Sequence, residues 1–100
     1  MKSITAKELK KLLEDKSESI QVVDVRGKDE WESGHIEDPR VINIEANKLI
    51  FDSSKLDKDK KIYLICESGG RSSFAQMILK TKGMECFDVE GGMSSFRNIK

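Results

Sequence analysis

The sequence predicts an α/β fold in which helices cover both faces of a parallel sheet. Short, β-branched apolar runs alternate along the chain with segments whose apolar residues have helical spacing. The runs are apolar on both sides, as strands between two helical layers are. In such sheets reactive groups collect at the carboxyl ends of the strands. We expect a single domain over residues 1–100, because a chain of this length encloses one modest core.

The first half of the chain contains one amphipathic helix and two predicted strands. Thr5 and Glu8 have the spacing of a capping box, and the helix that they begin runs to about Lys16. Residues 20–25 and 41–44 are short apolar runs typical of buried strands. Between the two strands, residues 28–33 form a brief helical turn.

The second half repeats the alternation and contains the informative segment. A helical patch (45–51) and a charged, solvated connection (55–61) precede a buried strand that ends at Cys66. A helix follows at once and ends near Gly83, before a strand over 84–89. A pair of glycines, 91 and 92, then turns the chain into a last helical piece over 93–98.

Composition excludes several classes of protein. Eighteen basic side chains are matched by eighteen acidic ones, so nucleic acid is not an expected partner. No apolar run approaches the ~20 residues that cross a bilayer, and we expect a cytoplasmic protein without membrane contact. Cys66, Cys86 and the single His35 lack the spacing of a zinc site, so we expect neither a metal nor a disulfide.

Cys66 opens a segment that we call the cysteine loop (residues 66–72). Loop amides and the amino end of the following helix direct partial positive charge at the sulfur and favour a thiolate. Gly69 and Gly70 permit a tight cradle, and Arg71 adds a charged planar donor. The alternative is that Cys66 only fills the end of a buried strand. Cys86 has no such loop, and we interpret it as structural.

The cysteine loop resembles the C-x-x-G-x-R active-site loop of single-domain rhodanese-like sulfurtransferases, and further motifs agree in order. They are Val23-Asp24-Val25-Arg26 with Glu30, Gly34-His35-Ile36, Asn43-Ile44, and Gly91-Gly92 with Phe96. The resemblance covers nearly the whole chain. It implies a rhodanese-like α/β fold with a central parallel sheet of about five strands flanked by helices on both faces.

The resemblance also implies a two-step reaction without a cofactor. Cys66, the catalytic nucleophile, takes sulfane sulfur from thiosulfate or a persulfide and passes it from a Cys66 persulfide to a thiol or cyanide. The substrate-binding and anion-binding residues are those of the loop: Glu67, Ser68, Gly69, Gly70, Arg71 and Ser72. The partners are a small sulfur donor and a thiol acceptor, for which a thioredoxin-like or other sulfur-relay protein is a candidate, and we expect a monomer.

Three polar residues outside the loop need an interpretation. Arg26 is either a second cation beside the pocket or part of a strand-end salt bridge, with Glu30 as its partner. Asp24 and His35 are interpreted as structural, because buried polar groups of this kind need hydrogen-bond partners.

The choice of donor depends on Glu67 and on the pocket rim. A carboxylate beside the sulfur opposes a dianion, so we expect a persulfide to be a better donor than thiosulfate. The rim departs from the family pattern at Asp38-Pro39, Glu45 and Phe96, which leaves donor and pathway open.

Two other functions compete with sulfur transfer. Cysteine phosphatases and arsenate reductases of a related fold have five residues between cysteine and arginine, whereas four separate Cys66 from Arg71. A noncatalytic persulfide carrier or partner-binding module is the second alternative, since a shared fold does not require shared turnover.

Overall fold

The computed structural model describes residues 2–100, which contain five strands and five helices in strict alternation. The strands are β1 (Ser3–Thr5), β2 (Ile20–Asp24), β3 (Val41–Asn43), β4 (Lys61–Ile65) and β5 (Phe87–Glu90). The helices are α1 (Ala6–Glu14), α2 (Lys28–Ser33), α3 (Ala46–Phe51), α4 (Gly70–Thr81) and α5 (Gly92–Arg97). Met1, the first residue of the predicted domain, lies outside the described residues.

The strands form one parallel sheet in the order β1-β5-β4-β2-β3, which confirms the predicted fold class. β4 is central, between β5 and β2. Asp24 at the end of β2 is in register with Ile65 at the end of β4. The carboxyl ends of the two strands therefore meet at one edge of the sheet, where Cys66 follows Ile65.

Apolar residues form one core layer on each face of the sheet. The first layer packs β2 and β4 against α3 and α4, with Val23, Leu64, Leu49 and Leu79 fully buried. The second layer contains Val22 and Ile65 with residues of α1 and α5. Alternate residues of each central strand therefore enter opposite layers, as strands covered on both sides require. No helix within residues 2–100 is long and apolar enough to cross a bilayer.

The structure differs from the sequence interpretation at the two strands that pair at the sheet edge. β1 was not predicted, because three residues are too few for a period to be recognised. It is held by parallel pairing of Ile4 with Val89. β5 begins at Phe87, so Cys86 precedes this strand rather than lying inside it. The capping box of α1 is confirmed, with the Thr5 Oγ1 accepting from the Glu8 amide at 3.1 Å.

Candidate active site

Cys66 lies between the central strand and the longest helix. β4 ends at Ile65 and α4 begins at Gly70, so only four residues separate the strand from the helix. Gly69 is the residue before α4 and has a left-handed backbone with φ of +111°. This conformation strains any residue with a side chain. The turn therefore depends on glycine at position 69, as the predicted tight cradle requires, whereas Gly70 is the first residue of α4 and has no positive φ.

The Cys66 sulfur is surrounded by polar groups although the residue is only 1% exposed. The Gly69 amide donates a hydrogen bond to Sγ at 3.0 Å. The Ser72 hydroxyl, on the first turn of α4, is 3.3 Å from Sγ. Among the loop amides within residues 2–100, only that of Gly69 hydrogen-bonds to the sulfur. The sulfur is thus held by one backbone donor and one hydroxyl at the amino end of a helix.

The carbonyl groups of the cysteine loop are bound by the start of α5. The Met93 amide donates to the Cys66 carbonyl at 2.8 Å, and the Ser94 amide donates to the Glu67 carbonyl at 3.0 Å. Gly92, with φ of +56°, lies directly against these carbonyls. The sequence interpretation saw in the two glycines only a turn into a helix. In the structure, they bring that helix onto the loop.

Arg71 is paired with a carboxylate of α2. Its two terminal nitrogens donate to the two carboxylate oxygens of Glu30 at 2.6 and 2.9 Å. The hydrogen bonds from Arg71 lower the pKa of Glu30 to about 2, and the same pair raises the pKa of Arg71. The pair connects α2 with the start of α4 and leaves the Arg71 charge largely neutralised.

Arg26 is buried, 1% exposed, and belongs to an ion pair at the end of β2. Its guanidinium donates to both carboxylate oxygens of Asp24 at 2.9 to 3.1 Å, and to the Gly34 carbonyl at 2.7 Å. Of the two interpretations of Arg26, the structure shows the strand-end salt bridge, with Asp24 rather than Glu30 as the partner. Glu30 is occupied by Arg71 and by the Gly27 amide, whereas Asp24 lies two residues from Arg26.

Glu67, the residue after Cys66, is bound by two arginines. Arg97 of α5 donates to its two oxygens at 2.6 and 3.0 Å, and Arg26 reaches it at 3.3 Å. The hydrogen bonds from Arg97 lower the pKa of Glu67. Glu67 therefore carries its charge beside Cys66, and the two arginines compensate that charge. Sequence reasoning missed Arg97, because no pattern relates it to a loop thirty residues earlier.

A second acid reaches the site from β5. Asp88 Oδ1 accepts a hydrogen bond of 2.5 Å from the Ser72 hydroxyl. Burial raises the pKa of Asp88, the hydrogen bond from Ser72 lowers it, and the neighbouring charge of Glu90 raises it. Ser72 thus lies between Cys66 and a half-buried carboxylate. This contact was not foreseen, since the two polar residues are on different elements.

Comparison with known proteins identifies the family. A model of the rhodanese-like domain matches residues 5–99. The chain belongs to the rhodanese-like family. A crystal structure of a rhodanese-like domain protein from Staphylococcus aureus has a TM-score of 0.85 at 34% identity, and the match covers 96% of this chain and 91% of that one.

Two rhodanese-like relatives come from Bacillus subtilis (strain 168). YtwF, whose name proposes a sulfurtransferase, is 33% identical over 96 residues, which are 96% of this chain and 90% of YtwF. YrkF, whose name proposes a sulfur carrier, is 35% identical over 71 residues, which are 71% of this chain. The matched part is 37% of YrkF. Sulfur transfer and sulfur carriage are thus both represented among similar proteins.

Three further residues named in the sequence analysis of the rhodanese-like domain are His35, Ser68 and Cys86. His35 stacks on Trp31 with ring centroids 3.7 Å apart, and its Nδ1 is 2.7 Å from the Trp31 carbonyl. Ser68 is exposed at the tip of the cysteine loop. Cys86 is buried, and burial raises the pKa of its thiol to about 11. These positions agree with structural roles for His35 and Cys86.

A cleft of about 500 Å³ borders the cysteine loop of the rhodanese-like domain. Its polar lining comes from α2, α4 and the start of α3, and Phe74 adds an apolar wall. The residues that matter for charge are Glu30, Glu45 and Arg71. Within residues 2–100 no group of three or more His, Cys, Asp or Glu side chains could hold a metal ion.

Proposed function

We propose that this rhodanese-like domain transfers sulfane sulfur through a persulfide on Cys66. The observation that supports the proposal is the position of Sγ, at the carboxyl end of the central strand, 3.0 Å from the Gly69 amide. A hydrogen-bond donor at this point favours an anionic sulfur, as oxyanion-binding amides do in other enzymes. The Gly69 amide can stay hydrogen-bonded to the inner sulfur of the persulfide while the outer sulfur is gained and lost.

The reaction needs only thiolate chemistry. The Cys66 thiolate attacks the outer sulfur of thiosulfate, a new S–S bond forms, and sulfite leaves with the electron pair of the broken bond. With a persulfide donor, the leaving group is the thiolate of that donor. In the second half, an acceptor thiolate or cyanide attacks the outer sulfur of the persulfide and releases Cys66 as a thiolate. Neither step requires a cofactor, and we propose none.

The donor reaches Cys66 through the cleft beside the loop. Because Cys66 is 1% exposed, side chains at the rim must move for a sulfur atom to approach Sγ. Glu30 and Arg71 form that rim as an exposed pair, and exposed pairs of this kind are worth at most about 1 kcal/mol. Opening the rim is therefore inexpensive. The acceptor that we propose is a thiol, carried by a small molecule or by a thioredoxin-like or other sulfur-relay protein.

Persulfide carriage without turnover is the second candidate. The burial of Cys66 favours it, since a persulfide in a covered site is protected from chance acceptors. A phosphatase is disfavoured by the four-residue spacing between Cys66 and Arg71, which is one residue shorter than in cysteine phosphatases.

Intact-mass analysis tests the proposed function. The protein is exposed separately to thiosulfate, 3-mercaptopyruvate and glutathione persulfide, then to cyanide or a thiol. We expect a gain of one sulfur atom with a donor and its loss with an acceptor. Cys66→Ser removes the gain, and the matched control Cys86→Ala retains it, because the Cys86 thiol is buried and protonated at neutral pH.

Each outcome of this experiment separates the candidates. Sulfur that is bound at Cys66 and released to no acceptor indicates a carrier. Sulfur bound by Cys66→Ser, or by no form of the protein with any donor, contradicts the proposed function. Hydrolysis of a phosphate ester that depends on Cys66 indicates the phosphatase alternative.

Arg97→Gln is expected to reduce turnover with thiosulfate several-fold. This change leaves Arg26 as the remaining partner of Glu67, and the less compensated carboxylate repels a dianion. Glu67→Gln is expected to increase thiosulfate turnover. The measurement is kcat/KM with thiosulfate and with a neutral or monoanionic persulfide donor.

Lys11→Gln on α1 is the matched control, since it removes one exposed cation from another part of the surface. It is expected to leave kcat/KM unchanged. If Glu67→Gln leaves turnover with thiosulfate unchanged, Glu67 does not determine the choice of donor.

A further inference from the structure

Ser72 connects the nucleophile to a carboxylate. Its side chain is fully buried, and its Oγ lies 3.3 Å from Cys66 Sγ and 2.5 Å from Asp88 Oδ1. A third contact, 3.2 Å long, joins the same oxygen to the Gly69 carbonyl. The hydroxyl therefore contacts the sulfur and two oxygen acceptors, but it has a single hydrogen to donate.

The carboxylate decides where that hydrogen points. An oxygen separation of 2.5 Å is typical of a hydroxyl that donates to an ionised carboxylate, and such bonds are about twice as strong as neutral ones. The Ser72 hydrogen is thus directed at Asp88 and away from Cys66. What faces the sulfur is a lone pair of Oγ, which accepts from a thiol S–H and repels a thiolate.

We propose that Asp88, acting through Ser72, is a positioning residue that opposes ionisation of the Cys66 thiol, against the Gly69 amide 3.0 Å from Sγ, which favours it. The inference rests on the proposed function only for its consequence, which is a nucleophile of restrained reactivity in the absence of a donor. Once the Cys66 thiol has lost its proton to water, the Ser72 hydroxyl must reorient in order to donate to the thiolate. Asp88 does not touch substrate.

Cys66, Ser72 and Asp88 form a hydrogen-bonded series. Few charged groups lie near its Asp88 end. Glu90, on the same strand as Asp88, is exposed and bound by Ser3 at 2.7 Å. The register partners of Asp88 on the neighbouring strands are Ser3 and Leu64, which do not ionise at ordinary pH. Lys2 pairs with Glu85 instead of Asp88.

Two further groups on α4 lie beside the series of Cys66, Ser72 and Asp88. Gln76 is neutral and donates to backbone carbonyls, including that of Cys86 at 2.9 Å. Arg71 lies near Cys66 and is paired with Glu30, and Glu67, the residue after Cys66, is paired with Arg97 and Arg26. Asp88 is therefore the uncompensated acid that reaches the sulfur through a hydrogen bond.

The pH dependence of thiolate absorbance in the ultraviolet tests this inference without any sulfur donor or thiol-modifying reagent. The spectrum of Cys66→Ser is subtracted at each pH, which removes the contributions of Tyr63 and Cys86. We expect Asp88→Asn to lower the midpoint for Cys66 by about one pH unit. Ser72→Ala is expected to lower the midpoint too, because it removes the acceptor for the S–H.

The double variant and a matched control make the result specific. Once Ser72 is alanine, Asp88→Asn should shift the midpoint much less, since the connecting hydroxyl is gone. Glu90→Gln removes a charge from the same strand at a residue that does not contact Ser72 or Cys66. It should leave the midpoint for Cys66 nearly unchanged. A midpoint that rises or stays constant in both Asp88→Asn and Ser72→Ala overturns the inference.

This test and the sulfur-loading test fail independently. A persulfide on Cys66 without the midpoint shift overturns the role of Asp88 and leaves the proposed function standing. A shift in a protein that never gains sulfur supports the role of Asp88 and overturns the proposed function.

Discussion

Gly92→Ala is expected to lower the free energy of unfolding by about 3 to 5 kcal/mol, a large effect for a single methyl group. The added Cβ would lie 2.2 Å from the Cys66 carbonyl oxygen and 2.7 Å from the Glu67 carbonyl oxygen. Both are backbone atoms, so no flexible side chain can move aside. The backbone angle of +56° adds about 1–2 kcal/mol of strain for a residue with a side chain.

Gly92→Ala should disturb the cysteine loop as well as lower the stability of the fold. Relieving the overlap displaces α5, and with it the Met93 and Ser94 amides that bind the loop carbonyls. Urea unfolding measures the stability, and intact-mass analysis after exposure to a donor measures loading of Cys66. We expect Gly92→Ala to reduce loading even at temperatures where the protein remains folded.

Gly83→Ala is the matched control for the backbone term. Gly83 has φ of +80°, but an added Cβ would meet nothing within 4 Å. It should cost about 1–2 kcal/mol, with normal loading of Cys66. Equal costs at positions 92 and 83 would show that contact with the loop contributes nothing.

Arg26→Met is the second change with a large expected effect, a loss of about 3–5 kcal/mol. It removes the guanidinium that binds both oxygens of Asp24 and leaves a carboxylate that is 1% exposed without its charged partner. It also removes the donor to the Gly34 carbonyl. Urea unfolding at neutral pH is the measurement.

The double variant Asp24→Asn with Arg26→Met tests whether the unpaired charge of Asp24 causes the loss of stability. Because neither residue then carries a charge, the double variant should be more stable than Arg26→Met alone. A double variant that is less stable than Arg26→Met would mean that the packing of these side chains matters more than the unpaired charge.

Most of the fold was predictable from local patterns. The buried strands at residues 20–24 and 61–65 have apolar side chains on both faces, and α1 begins at a capping box that needs only Thr5 and Glu8. β1 was not predictable in this way. Its three residues are a strand because Val89 and Glu90, at the other end of the chain, provide a partner.

The candidate site was likewise predictable from the sequence only in part. Cys66, its glycines and its place after a buried strand form one contiguous segment, which sequence reasoning can recognise. The partners of that segment are distant in sequence. Glu30 binds Arg71, Arg97 binds Glu67 and Asp88 binds Ser72, each across sixteen or more residues. Such ion pairs and hydrogen bonds follow from the packing of helices, which no short pattern encodes.

The dependence of the cysteine loop on α5 has a consequence for synthesis on the ribosome. A nascent chain exposes the Cys66 and Glu67 carbonyls long before Met93 and Ser94, their donors, have been translated. Until then the sheet also lacks β5, the strand that joins β1 to β4. Cys66 therefore acquires its complete hydrogen-bonded surroundings only after α5 has emerged from the exit tunnel.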